Sequence, residues 1–251
     1  MTSPESTNDA ISLAGNKHLY RNPQPLTPEA HGDLGFVNSE RPFDFVRKTI
    51  AVPLTKAEFS EAAKDYPIVF SDSKDPIALA VMGLPDSDNL FVSESGTWDE
   101  NAYLPGYLRC YPFALVPQGE DRLALIVDTE AHSIGENPEI PFFIDGQLSP
   151  RTTEFLEYCG KFEAARQETR EFCSELEKLE LLSPQRVKRD QQSGEEVPVA
   201  DFIGIDQRKV AALADEEIVR LHHSGALQLI YLQLSSIDNW RRVVARAGRK
   251  R

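Results

Sequence analysis

The sequence predicts an α+β protein, β-rich in its first half and helical in its second. Short apolar runs separated by turn residues fill the chain up to about residue 148. From Thr152 to Leu182 the apolar spacing changes to every third or fourth residue, and no repeat or clear linker divides the chain. At 251 residues it is long enough to bury a core without metal or disulfide staples. The expected organisation is a disordered polar leader over residues 1–20 and one domain over 21–251, containing one or two hairpins.

After a proline-rich entry, alternation begins at Thr49–Val52 and passes into a short helix, for which Thr55 and Glu58 form a capping box. Its inner face is Ala57, Phe59, Ala62 and Ala63. Strands are expected at Tyr66–Phe70, Ile77–Met82, Leu90–Ser93, Phe113–Val116 and Leu123–Val127, with turns at Pro85–Asn89 and Gly119–Asp121. Asp145-Gly146 tolerates the positive φ angles of a two-residue turn, so Phe142–Ile144 and Gln147–Leu148 read as a hairpin. The long helix follows, its apolar stripe running through Phe155, Cys159, Phe162, Phe172, Leu176 and Leu179. Residues 185–203 read as a second hairpin turning at Ser193-Gly194, with a linker as the alternative. Asp206 and Asp215 are expected to cap two helices, the second closed by Gly225. Leu227–Leu234 fits a strand or a buried helix equally, and a last helix starts near Ser236.

Forty acidic against 27 basic side chains give a net charge of −13, which opposes binding to nucleic acid or anionic membrane through the main surface. Protein or small-molecule partners are expected instead. The tail Arg241–Arg251 reverses the sign with Arg241, Arg242, Arg246, Arg249, Lys250 and Arg251; it reads as a dipole-complementing helix end or as a dock for an acidic surface. Cys110, Cys159 and Cys173 are odd in number and lack metal-site spacing, which fits reduced thiols in a cytoplasm. No secretory signal and no apolar stretch long enough to span a bilayer is present.

Motif searches exclude the familiar hydrolase and nucleotide signatures: GxSxG, GxxxxGK[ST], GxGxxG and HExxH are all absent. A metal reading rests on His31-Gly32-Asp33, the H-x-D spacing of a facial triad, with His132 as the distant third ligand for Fe2+ in an oxygenase-like enzyme. The competing expectation is no cofactor. Asp128, Glu130 and His132 would share one face of a continuing strand, as metal ligands or as a solvated strand exit. His222 and His223 diverge by about 100° on a helix and cannot converge on one ion.

The densest clue lies between Asn89 and Phe113. Of the chain's 13 Phe, 7 Tyr and 2 Trp, this stretch holds Phe91, Trp98, Tyr103, Tyr107, Tyr111 and Phe113. Four of these carry a polar tip that a core does not require, so a recognition surface of Trp98, Tyr103, Tyr107, Arg109 and Tyr111 is one reading. There the rings would stack on a sugar or peptide side chain while Arg109 grips a carboxylate. The other reading is structural, with aromatics filling the irregular walls that Gly96, Pro105, Gly106 and Pro112 create.

AVPLTKAEF (51–59), DYPIVF (65–70), Gly83-Leu84, NLFV (89–92), Gly96, Trp98 and YLPGYLRCYPF (103–113) together resemble the SapC family. The likeness continues through PQPL and His31 near the start, the Asp206–Val210 helix and GALQLIYLQLSSI (225–237). The family pattern has a second arginine where this chain has Cys110 and a histidine where it has Gln233, so roles resting on those side chains do not carry over. The resemblance implies an accessory part in surface-layer or envelope biogenesis, with relatives encoded near outer-membrane TonB-dependent receptors and flavin-dependent halogenase-like proteins. It thus implies a protein or peptide partner in an envelope or halogenase-linked system.

Overall fold

The structure, a computed structural model, describes residues 19–117, 123–190 and 196–249. Its first half is built mainly of strands and its second mainly of helices, the α+β class the sequence predicts. Two compact units interleave along the chain: 50–90 with 168–190 and 196–249, and 19–49 with 91–117 and 123–167.

The first unit is organised on a five-stranded antiparallel sheet in the order Leu182–Asp190, Glu196–Ile205, Ile68–Phe70, Ala78–Val81, Ala51–Pro53. Ile68–Phe70 and Ala78–Val81 are buried at every residue, which explains their uninterrupted apolar runs. Strand Ile68–Phe70 pairs with Glu196–Ile205 only at Ile203↔Phe70, leaving the backbone of Ile68 open on that side. The helix Ala226–Ser236 completes it: Ser236 Oγ accepts from Ile68 N and Gln233 Nε2 donates to Ile68 O, both at 2.9 Å. Asn239 Nδ2 likewise donates to Ala63 O at 2.7 Å. This resolves Leu227–Leu234 as helix, because its buried stripe is half polar, matched to backbone groups a strand here would leave unpaired.

The capping box forms as expected: the Thr55 N–H and hydroxyl both donate to Glu58 Oε2, at 2.9 and 2.8 Å. Both arms of the 185–203 hairpin are strands, with a register shift between Val187 and Lys188; its Ser193-Gly194 turn, like Gly119–Asp121, lies outside the described residues. The long helix runs Pro150–Lys178, opened by Ser149, whose Oγ accepts from Thr152 N. It stops earlier than the periodicity suggests because Glu180 turns left-handed at φ 54° and Leu182 enters the sheet. Asp206 caps Gln207–Ala211 by accepting from Arg208 N at 2.9 Å. Asp215 is not a cap: Ala214 holds that place, and Asp215, Glu216 and Glu217 complement the dipole from inside the first turn. The last helix, Trp240–Arg249, buries Trp240 and Val243.

The second unit holds two three-stranded antiparallel sheets, Pro23–Pro25/Leu123–Asp128/Phe113–Pro117 and Ile134–Glu136/Leu34–Phe36/Ile140–Pro141. The hairpin Phe143–Ile144/Gln147–Leu148 turns on Asp145 at φ 51° and Gly146 at φ 75°. Cys110, Phe113, Val127, Phe142 and Cys159 form its core. Leu90–Ser93 is not a strand; only the bridge Val92↔Trp98 forms, because Gly96 at φ 79° folds the chain back at once. Of the expected leader, only Leu19 and Tyr20 lie among the described residues, and both are buried, the Tyr20 hydroxyl donating to Phe113 O at 2.8 Å.

Candidate functional site

The aromatic segment sorts into buried and exposed members. Trp98 follows the Gly96 turn, 9% exposed, packed on Phe43 and Phe91 at centroid distances of 5.6 and 6.1 Å, with Nε1 donating to Ala102 O at 3.3 Å. Pro105 then starts the short helix Gly106–Cys110, which turns Tyr107, Leu108 and Cys110 inward and leaves Arg109 outside. Tyr107 lies 6.3 Å from the Phe162 ring. Tyr111, joined to Pro112 by a cis bond, stacks on Phe45 at 3.9 Å and donates its hydroxyl to Asp128 Oδ2 at 3.0 Å. Trp98, Tyr107 and Tyr111 therefore fill and brace the wall, and the five expected ligand residues do not converge on one cavity.

Asp128 is the anchor of that wall. Fully buried at the end of its strand, it accepts from Arg21 N, Asn22 N, Tyr111 Oη and Glu130 N at 2.9 to 3.3 Å. The strand ends there and Thr129-Glu130 turns, so Asp128, Glu130 and His132 do not share a strand face.

Burial pushes the Tyr107 phenol up to about 12, and burial followed by the Asp128 charge raises that of Tyr111. The sign of the pH effect follows. Below the ordinary value of 10.0 Tyr107 is protonated folded or unfolded; between that and about 12 only the unfolded phenol ionises, so unfolding releases a proton and stability falls as pH rises. Urea midpoints should drop from pH 9.5 to pH 11.5, and Tyr107→Phe should remove only part of the drop, because the raised phenols of Tyr111 and Tyr20 contribute the rest.

Arg109 is different in kind. Its Nη2 donates to the Tyr103 hydroxyl at 2.9 Å, and its guanidinium carbon lies 5.6 Å from the Tyr103 ring and 5.4 Å from the Tyr158 ring. Among the described residues no carboxylate pairs with it, whereas Arg47, Arg166 and Arg186 sit on Asp44, Glu163 and Asp201. The guanidinium is thus oriented by two half-buried tyrosines and keeps donors for an outside acceptor. Tyr158 was not foreseen. It comes from the long helix, far along the chain, and its only sequence signal is an aromatic ring beside the buried stripe.

The iron reading lacks its ligand set. His31 is buried at the end of the short helix Pro28–His31, where its Nδ1 accepts from Thr27 N at 3.2 Å, while Asp33 and His132 are exposed. Among the described residues no three His, Cys, Asp or Glu side chains come together as a metal site. A cleft of about 490 Å³ in the first unit is lined by Lys56, Phe172, Lys178, Arg220 and Leu229, among others, and none of the candidate residues borders it. No helix of the described residues is long and apolar enough to cross a membrane.

The chain matches no curated protein and no solved structure. The SapC family profile, by contrast, matches residues 26–243, which takes in both units, the aromatic segment, Asp128 and Tyr158, and the chain belongs to the SapC family.

Proposed function

We propose that this protein is a non-catalytic accessory protein of an envelope or peptide-modification system, and that it captures a carboxylate-bearing peptide segment of its partner at Arg109. The observation that carries the reading is the exposed guanidinium held between Tyr103 and Tyr158, with no carboxylate paired to it among the described residues. Among the described residues, the solvent-facing Arg47, Arg186 and Arg220 are each matched to a carboxylate, whereas Arg109 is held by two rings that orient it. A planar fork matches the two oxygens of a carboxylate, and the tyrosine rings add an apolar flank for the neighbouring side chain. The three cysteines, buried and outside any disulfide, fit a reducing compartment such as the cytoplasm.

The test is a pair of fluorescent hexapeptide pools, one carrying a glutamate in every member and the other a glutamine in its place. Full-length protein should retain the glutamate pool preferentially. Arg109→Ala should lower that retention roughly tenfold or more, with Tyr158→Phe retaining it and Tyr158→Ala losing part. Because Arg109 is exposed, its melting temperature should stay near that of wild type. Equal retention of both pools, or a large loss of stability in Arg109→Ala, would remove the reading.

A further inference from the structure

The cleft of about 490 Å³ in the first unit runs along the end of the long helix, where Glu168, Glu171, Phe172, Glu175, Lys178 and Leu179 recur three or four apart on one face. Most of the remaining lining comes from the junction of the helices Asp215–His223 and Ala226–Ser236. Gly225 turns the chain there at φ 77°, and a Cβ at that position would meet nothing within 4 Å, so the junction is left open. Phe172 and Ala226 are buried and Leu179 and Leu229 half-buried, which gives the cleft an apolar lining below its charged rim.

The rim balances three basic against three acidic side chains. Two of each are already matched: Lys56 Nζ lies 3.1 Å from Glu168 Oε2, and the Arg220 guanidinium pairs with Glu175. Glu171 and Lys178 are exposed and make no ion pair among the described residues. They stand two helical turns apart on the same face, an axial separation of about 10 Å. An ion of either sign is attracted by one of them and repelled by the other, whereas a zwitterion is attracted by both. An extended chain advances about 3.3–3.6 Å per residue, so the ammonium and carboxylate of a free peptide of about three residues match this separation. We propose that the cleft binds a short peptide with unblocked ends, its ammonium on Glu171, its carboxylate on Lys178 and an apolar side chain between them against Phe172 and Leu229. The site is separate from Arg109, which lies in the other unit.

The probe is alanyl-leucyl-alanine, added to full-length protein, with dissociation constants read from NMR saturation transfer to its methyl signals. The free tripeptide should bind, and its N-acetyl and C-amide forms should each bind about threefold more weakly. Glu171→Gln should weaken the free tripeptide by the same factor while binding the N-acetyl form as wild type does. Lys178→Met should behave likewise toward the C-amide form, since each variant removes the charge that the blocked end no longer uses. Replacing the leucine of the probe by alanine should cost about fivefold, through lost apolar burial. Both altered side chains are exposed, so the melting temperatures should stay near that of wild type. Arg109→Ala should leave every constant unchanged, because Arg109 does not border the cleft. No saturation transfer, equal binding of the free and doubly blocked tripeptides, or a loss of binding in Arg109→Ala would overturn the proposal. The capture of glutamate hexapeptides at Arg109 fails or stands on its own variant, so the two outcomes are distinguishable.

Discussion

Asp128→Ala is expected to lower stability by about 3–4 kcal/mol. The carboxylate is 0% exposed and accepts four hydrogen bonds, two from the backbone of Arg21 and Asn22, one from Glu130 N and one from the Tyr111 hydroxyl. Removing it strands these donors where water reaches them poorly, and each stranded donor costs about 1–3 kcal/mol before relaxation. Asp128→Asn keeps the volume and one oxygen and should lose about half as much. Tyr111→Phe removes one donor together with its hydrogen bond and should cost about 1 kcal/mol. Urea titration of the three variants gives the ordering; a loss in Asp128→Ala no larger than in Tyr111→Phe would show that the carboxylate does not hold the segment.

Phe113→Ala should cost about 3–5 kcal/mol for a different reason. Phe113 is fully buried, with the rings of Phe142, Phe155 and Phe36 at 5.4, 5.6 and 5.8 Å, so truncation opens a cavity that its aromatic neighbours cannot all collapse into. Phe113→Leu, which keeps most of the volume, should lose less than half of that. The measurement is the same titration, with the slope checked for an unchanged extent of unfolding. A loss under about 1 kcal/mol in Phe113→Ala would mean that this core is loosely packed.

The sequence was legible where local chemistry decides the structure. Asp145-Gly146 specifies its hairpin through two positive φ angles, Thr55 and Glu58 specify their capping box, and the change of apolar spacing marks the long helix. Where distant partners decide, it was not. Leu227–Leu234 becomes a helix because Gln233 and Ser236 complete the backbone of Ile68, more than 160 positions away. Leu90–Ser93 has strand composition, but the left-handed Gly96 leaves it no strand to pair with beyond one bridge.

The candidate site divides along the same line. Aromatic density singled out the segment but could not separate rings that brace, such as Trp98, Tyr107 and Tyr111, from the one that orients a cation, Tyr103. Tyr158 had no signal of its own, because cation–ring contacts leave no spacing rule between helices so far apart in the chain. The H-x-D pair shows a limit of local spacing: it joins His31 to Asp33 in the sequence, while packing buries one and exposes the other.

The central claim is that Arg109 is a free, oriented cation. Its most direct test follows the Nε–H signals of the arginines by ¹⁵N-edited NMR while a glutamate hexapeptide retained from the pool is added, with the Arg109 signal assigned by its loss in Arg109→Lys. The Arg109 signal should shift saturably while those of the acid-paired Arg47 and Arg186 stay in place. An Arg109 signal that moves no more than theirs would contradict the account.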